Sequence, residues 1–435
     1  TGLQWVVNAY TITFAGFLLL GGRAADLFGR KRVFLIGMVV FSGASLVCAI
    51  AGAQGPLLGA RALQGLGAAI ISPASLAIIT TSFAEGSERN RALGLWGAMA
   101  GLGGTSGVLA GGILTQAFSW PAIFLVNVPI GLAVAFVGRR IVPGGQAADA
   151  RQGHFDLAGA VLITAGLTGL VYGVVRTDAL GWGAPGVLVP LAVAVALIGA
   201  FVYVEGRVAP APLMPLRIFR MPTLRAANAV IFLLGSALFA MWFFLSLYLQ
   251  QVLGHDALQT GLLFLPMTLS IVVASTQAPK LIARFGIRPV LTTGMLLAGA
   301  GLALLSGVSA GASYATQALP GGVVAAVGLG MSMVPVTIAA VQGVPAGESG
   351  LASGMINTSR LVGGALGLAA LSTIAVSRTG DQLAHGVPAL VAQSDGYQLA
   401  FTLGAILCAV GAALAVTLLR PRPVPEEVAA IASEA

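Results

Sequence analysis

Asp26 is a lone carboxylate in a basic stretch, Gly22-Arg23-Ala24-Ala25-Asp26-Leu27-Phe28-Gly29-Arg30-Lys31-Arg32. It stands one helical turn before Arg30. Such an acid can pair with Arg30, or sit at the N-terminus of a neighbouring helix and feel its dipole. Either contact would make a reversible latch. The plainer alternative is a helix-end charge that offsets its basic neighbours. Two further charges, Arg61 and Arg360, fall inside long apolar runs, with Gln64 after the first and Asn357 before the second. An arginine in hydrocarbon is costly, so it pairs, faces water, or snorkels to the interface. Arg360 has substrate or proton-linked water as its functional partners, and snorkelling as its alternative. No Asp or Glu falls near the middle of any apolar run. His154, His255 and His385 are isolated in loops, and Cys48 and Cys408 read as small buried hydrophobes. Paired carboxylates and His/Cys clusters are absent from the sequence pattern, so neither an enzyme nor a metal site is expected.

The runs that hold these residues are membrane helices. The chain is 57% hydrophobic and 8% charged, against about 25% charged in a soluble domain. Mean hydropathy is +0.95. Thirteen apolar runs are expected to span: 3–22, 33–53, 57–80, 92–114, 121–137, 157–175, 186–204, 226–248, 259–279, 290–309, 318–341, 351–375 and 397–419. Each is near the ~20 residues that cross a bilayer as a helix, and none alternates as a barrel strand would. Sixty glycines suit helices that pack closely in lipid. An all-α polytopic membrane protein in a lipid bilayer follows. The net charge of +8 sits in short loops and reads as membrane orientation, so no nucleic acid is expected.

With residue 1 outside, the inner segments hold eighteen of the 22 Lys and Arg. The outer segments hold only Arg176 and Arg378. The positive-inside rule therefore places the C-terminus in the cytoplasm.

An internal repeat divides the chain. Phe28-Gly29 with Val33, Gly37 and Met38 matches Phe285-Gly286 with Val290, Gly294 and Met295, always 257 positions apart. Ala283 replaces Asp26 in the second copy. Parallel repeats of this kind mark two-bundle transporters. The expected parts are an N-terminal bundle over 1–138 and a linker with two extra helices over 139–223. A six-helix C-terminal bundle over 224–420 and a cytoplasmic tail over 421–435 complete the chain.

Several motifs carry a resemblance. The Gly22–Arg32 stretch resembles the Gly-x-x-x-Asp-x-x-Gly-Arg-Lys/Arg loop of the major facilitator superfamily. Arg61-Ala62-Leu63-Gln64-Gly65-Leu66-Gly67 resembles its Arg-x-x-Gln-Gly-x-Gly motif. Gly103, Gly107, Gly111 and Gly112 resemble the glycine-rich antiporter signature, with Val108 where that pattern has proline. Trp120 to Pro129, with Phe124 and Asn127, is similar to a run of the fourteen-helix drug:proton antiporters, as are Gln4-Trp5-x-x-Asn8-x-Tyr10, Pro212 to Arg220 and Leu351 to Arg360. The chain is identified as a member of that family.

The resemblance implies two helix bundles, alternating access, and proton-coupled efflux of hydrophobic small molecules. The source of energy is the proton gradient, with no cofactor, in a monomer of the bacterial inner membrane. Gly22, Asp26, Gly29, Arg30 and Lys31 would form the cytoplasmic gating loop. Arg61 would serve proton transfer opposite an acid on the family's first helix. The loop motif begins at Gly22, which leaves room for one preceding helix where the family has two. An earlier, acid-bearing helix is therefore expected. Gly103, Gly107 and Gly111 share a helix face and would pack tightly against another helix. Trp5, Asn8, Tyr10, Asn127, Trp242 and Phe243 are candidates for a substrate cavity, while Tyr248 reads as an interfacial belt residue. The alternatives are an importer of a polar solute, by facilitation or proton symport, and a non-functional truncated transporter.

Overall fold

The computed structural model describes residues 2–84, 86–143, 156–209, 221–311, 313–342 and 348–419, with 212, 214, 217, 344 and 345 besides. The tail, 421–435, lies outside them. Among these residues thirteen long helices follow one another, because backbone in lipid must satisfy its own hydrogen bonds. They are α1 (Gly2–Phe28), α2 (Arg30–Ile50), α3 (Gln54–Ser82), α4 (Ser87–Ala117), α5 (Asn127–Ile141), α6 (Leu157–Val175) and α7 (Pro185–Arg207). After these come α8 (Pro222–Leu247), α9 (Leu265–Phe285), α10 (Ile287–Leu305), α11 (Leu319–Val341), α12 (Ser349–Ala384) and α13 (Ala389–Leu418). Twelve helical segments are long and apolar enough to cross a membrane. The remaining expected span, 92–114, is helical within α4, several of whose side chains lie outside the described residues.

The chain forms two compact units. The first comprises Thr1–Ala84, Ile113–Met221 and Gly343–Thr358; the second comprises Glu85–Gly112, Pro222–Gln342 and Ser359–Ala435. In the first, α3 packs on α1 and α2, α2 packs on α5, and the extra pair α6 and α7 pack on each other. The extra pair also leans on α1. Trp5 meets Tyr172 at 5.8 Å between ring centroids, and Gly16 leaves room for the Thr168 hydroxyl. Asp156 caps α6, accepting the Gly159 N–H at 2.8 Å. In the second unit α10 packs on α11 and α13, α9 on α11, and α8 on α11 and α13. The helix α4 groups with this unit up to Gly112, rather than with α1–α3. A Cβ at Gly94 would lie 2.7 Å from the Pro279 ring of α9.

The 257-residue repeat is visible in the backbone. Gly29 separates α1 from α2 at φ +90°, and Gly286 separates α9 from α10 at φ +84°. Both angles are left-handed, which glycine adopts without a Cβ clash. The packing repeats with the same offset. A Cβ on Gly37 would lie 2.9 Å from Ile71, and one on Gly294 would lie 3.0 Å from the Gly328 carbonyl oxygen.

Candidate functional site

Asp26 lies at the end of α1 and is 4% exposed. Its Oδ1 accepts the Gly350 N–H at 3.1 Å, and its Oδ2 accepts the Leu351 N–H at 3.0 Å. These donors belong to the first turn of α12, where backbone N–H groups have no acceptor within the helix. The positive end of the helix dipole points the same way. Arg30 closes the arrangement, with Nη2 3.3 Å from Oδ1. Pairing with Arg30 and capping of a helix therefore occur together.

The approach is possible because two glycines meet. A Cβ on Gly22 would strike the Gly350 carbonyl, and one on Gly350 would strike the Gly22 carbonyl. Four residues on, a Cβ at Gly354 would lie 3.0 Å from the Leu18 carbonyl oxygen. Gly350 fell outside the sequence expectations and Gly354 entered them only within the Leu351–Arg360 run, although their four-residue spacing is the same signal that singled out α4. Lys31 lies in the first turn of α2 and is half-buried.

Arg61 reaches from α3 to α1. Its Nε donates to the Val6 carbonyl at 2.8 Å, and its Nη1 donates to Gln64 Oε1. Gln64 is 2% exposed and passes the chain on, donating to Ser45 Oγ at 2.7 Å, which donates to the Phe41 carbonyl at 2.8 Å. The guanidinium carbon stands 4.5 Å from the Tyr10 ring centroid and 5.5 Å from that of Phe124. Aromatic faces stabilise a desolvated guanidinium through the ring quadrupole. Among the described residues no carboxylate pairs with Arg61; its acceptors are neutral. Phe124, rather than Asn127, is the residue of the Trp120–Pro129 run that reaches this site. Asn127 donates back to the Ile123 carbonyl at 3.2 Å.

Asn357 is buried and donates to the Ser353 carbonyl at 2.9 Å, and Arg360 is half-buried. The Arg360 backbone lies against Gly235 of α8. The aromatic candidates divide between the units. Trp5 and Tyr10 belong to the first; Trp242, edge-on to Phe264 at 4.9 Å, and Phe243, 39% exposed, belong to the second. The Asn8 side chain lies outside the described residues.

Two expectations need correction. Gly103 and Gly107 are exposed, and a Cβ on either would meet no described atom within 4 Å. Gly112 has one ordinary contact, Leu258 at 3.6 Å, and Gly111 is half-buried. The tight glycine packing expected of α4 is found on α12 instead. In the second unit Gly363, Gly364 and Gly367 receive Phe232, Phe239 and Ser236 of α8, and Ser236 Oγ donates to the Gly363 carbonyl at 2.8 Å. Tyr248 is not an interfacial belt residue. It is fully buried and its hydroxyl donates to the Ser309 carbonyl at 3.1 Å.

Comparison with known proteins gives a consistent picture. The profile described as Major Facilitator Superfamily matches residues 1–368. A cephamycin export protein of Amycolatopsis lactamdurans is 42% identical over 395 residues, covering 91% of this chain and 80% of the relative. A puromycin resistance protein of Streptomyces alboniger is 38% identical over 422 residues, covering 96% and 83%. Among solved structures, the human organic anion transporter MFSD10 matches with a TM-score of 0.67 at 18% identity, over 95% of this chain and 83% of that one. At that identity the likeness concerns the fold alone.

Proposed function

The chain belongs to the major facilitator superfamily, a family of multi-pass membrane transporters, and on that premise we propose that it exports hydrophobic antibiotics or other drugs in exchange for protons. The substrate class rests on the relatives, one of which is a cephamycin export protein and another a puromycin resistance protein. The chain moves its substrate unchanged, as a monomer in the bacterial cytoplasmic membrane, with its C-terminus inside. The excess of basic residues in alternate loops supports that orientation.

One observation carries the mechanism: a buried carboxylate, Asp26, caps the first turn of α12. A charged hydrogen bond of this kind is worth about 1.5–3 kcal/mol. It is strong enough to favour one state and weak enough to release. In this reading the contact is the closed cytoplasmic latch, and its loss opens the inner side. Arg61 is the cation of the proton path. Its neutral ligands and its aromatic bracket keep the charge in place while leaving it free to stabilise an acid that loses a proton.

Inverted membrane vesicles with puromycin as the probe test the proposal. An acidic interior should drive uptake, and a protonophore should abolish it. Gradient-driven movement in the opposite direction would replace the exporter reading with an importer.

A further inference from the structure

Behind the extra helix pair, Met214 and Arg217 are each held by a carboxylate. Glu205, near the end of α7, is 5% exposed, and its Oε2 accepts the Met214 N–H at 3.0 Å. Three residues on, the Arg217 guanidinium pairs with Glu348, 131 residues away in sequence. Glu348 directly precedes α12 and is 9% exposed, while its partner is largely open to solvent. All these residues belong to the first unit.

Two carboxylates thus stand at one helix N-terminus, each with its own arginine. Asp26 takes the free N–H groups of Gly350 and Leu351 and has Arg30 beside it. Glu348 has Arg217. The helix dipole favours both anions, but each raises the cost of the other. Removing Arg217 also leaves the largely buried Glu348 carboxylate poorly compensated. An exposed pair would carry little weight; burial of Glu348 makes this one matter.

We infer that Arg217 is a positioning residue of the latch. It holds Glu348, and through it the start of α12, where Asp26 can cap it. Arg217, which follows the extra helices in sequence, is therefore part of the closing device. Arg217 acts through Glu348. This inference rests on the latch reading of Asp26.

A reporter cysteine at the first residue of α12, Ser349→Cys, tests it through the rate of alkylation by N-ethylmaleimide in the purified full chain. Cys48 and Cys408 are buried and stay in place as unreactive controls. Arg217→Gln and Glu348→Gln should each raise the rate about fivefold, the factor for a contact of roughly 1 kcal/mol. The double variant should go no faster than the faster single, because the two residues act through one contact. Arg217→Lys keeps the charge and should label near the parental rate, and it also serves if the glutamine variant fails to fold. Unchanged rates in both single variants, or effects that multiply in the double, would overturn the inference. Asp26→Asn in the same background separates the two readings. If it speeds labelling while Arg217→Gln does not, the latch stands and the role of Arg217 fails. If Asp26→Asn leaves the rate unchanged, the latch itself fails and the inference falls with it.

Discussion

Asp26 Oδ2 accepts the backbone N–H of Leu351 at 3.0 Å, across 325 residues of sequence. The end of the first helix thereby holds the start of the twelfth. The contact depends on backbone donors, which on α12 only a proline removes directly. The carboxylate is the part that other substitutions reach.

Asp26→Asn should keep expression and lower efflux at least about tenfold, because the amide is neutral and one of its two polar atoms no longer accepts; a loss of ~1.4 kcal/mol corresponds to tenfold. Puromycin efflux from whole cells measures it. A parental rate in this variant would end the latch reading.

Under the proposed proton path, Arg61→Ala should uncouple export from the pH gradient, since an acid working with it would lose its counter-charge. Arg61→Lys should retain part of the activity, because the charge remains while the planar fork over Tyr10 and toward Val6 is lost. Drug binding measured across a pH series decides the matter. Loss of transport in both variants with an unchanged pH profile would assign Arg61 a structural role.

Gly350→Leu should destabilise the protein and abolish transport, because any Cβ there meets the Gly22 carbonyl and lies 2.8 Å from Asp26 Oδ1. Gly107→Leu should leave the melting temperature in detergent close to parental, since its surroundings are open. The reverse ranking would restore α4 as the packed glycine face.

Gly29→Ala should cost about 1–2 kcal/mol, the penalty for a Cβ in left-handed backbone. Gly286→Ala should cost a similar amount. Denaturant titration of the purified protein tests both, and a neutral Gly29→Ala would mean the loop relaxes to another path.

Tyr248→Phe should lower stability by about 1 kcal/mol, the net worth of one buried hydrogen bond, to the Ser309 carbonyl. No change in the melting curve would return Tyr248 to an exposed, interfacial setting.

The helices were legible because lipid imposes long apolar runs, and the Asp26 loop because charge and glycine crowd into a short connection. What the sequence left open was the direction of faces. The four-residue glycine spacing occurs on both α4 and α12, and spacing cannot tell which stripe a neighbour covers. The partners of Arg61 come from α1 and from Phe124, distant in sequence, so the residue was recognisable as unusual but its bracket was not. Tyr248 lies near a helix end, where an aromatic facing lipid and one facing the core look alike. The ion pair of Arg217 and Glu348 carried no local pattern at all.

The matched left-handed glycines, Gly29 and Gly286, bear on how a duplicated scaffold divides its labour. Each corner is shaped by its backbone and needs no acid to turn. The second copy could therefore exchange its acid for Ala283 and still fold the same bend. Near-symmetry of shape coexists with asymmetry of charge: of the two equivalent corners, the first carries an acid and the second an alanine. Under the proposed latch, a change at Asp26 would alter the closing contact without disturbing the geometry of its twin.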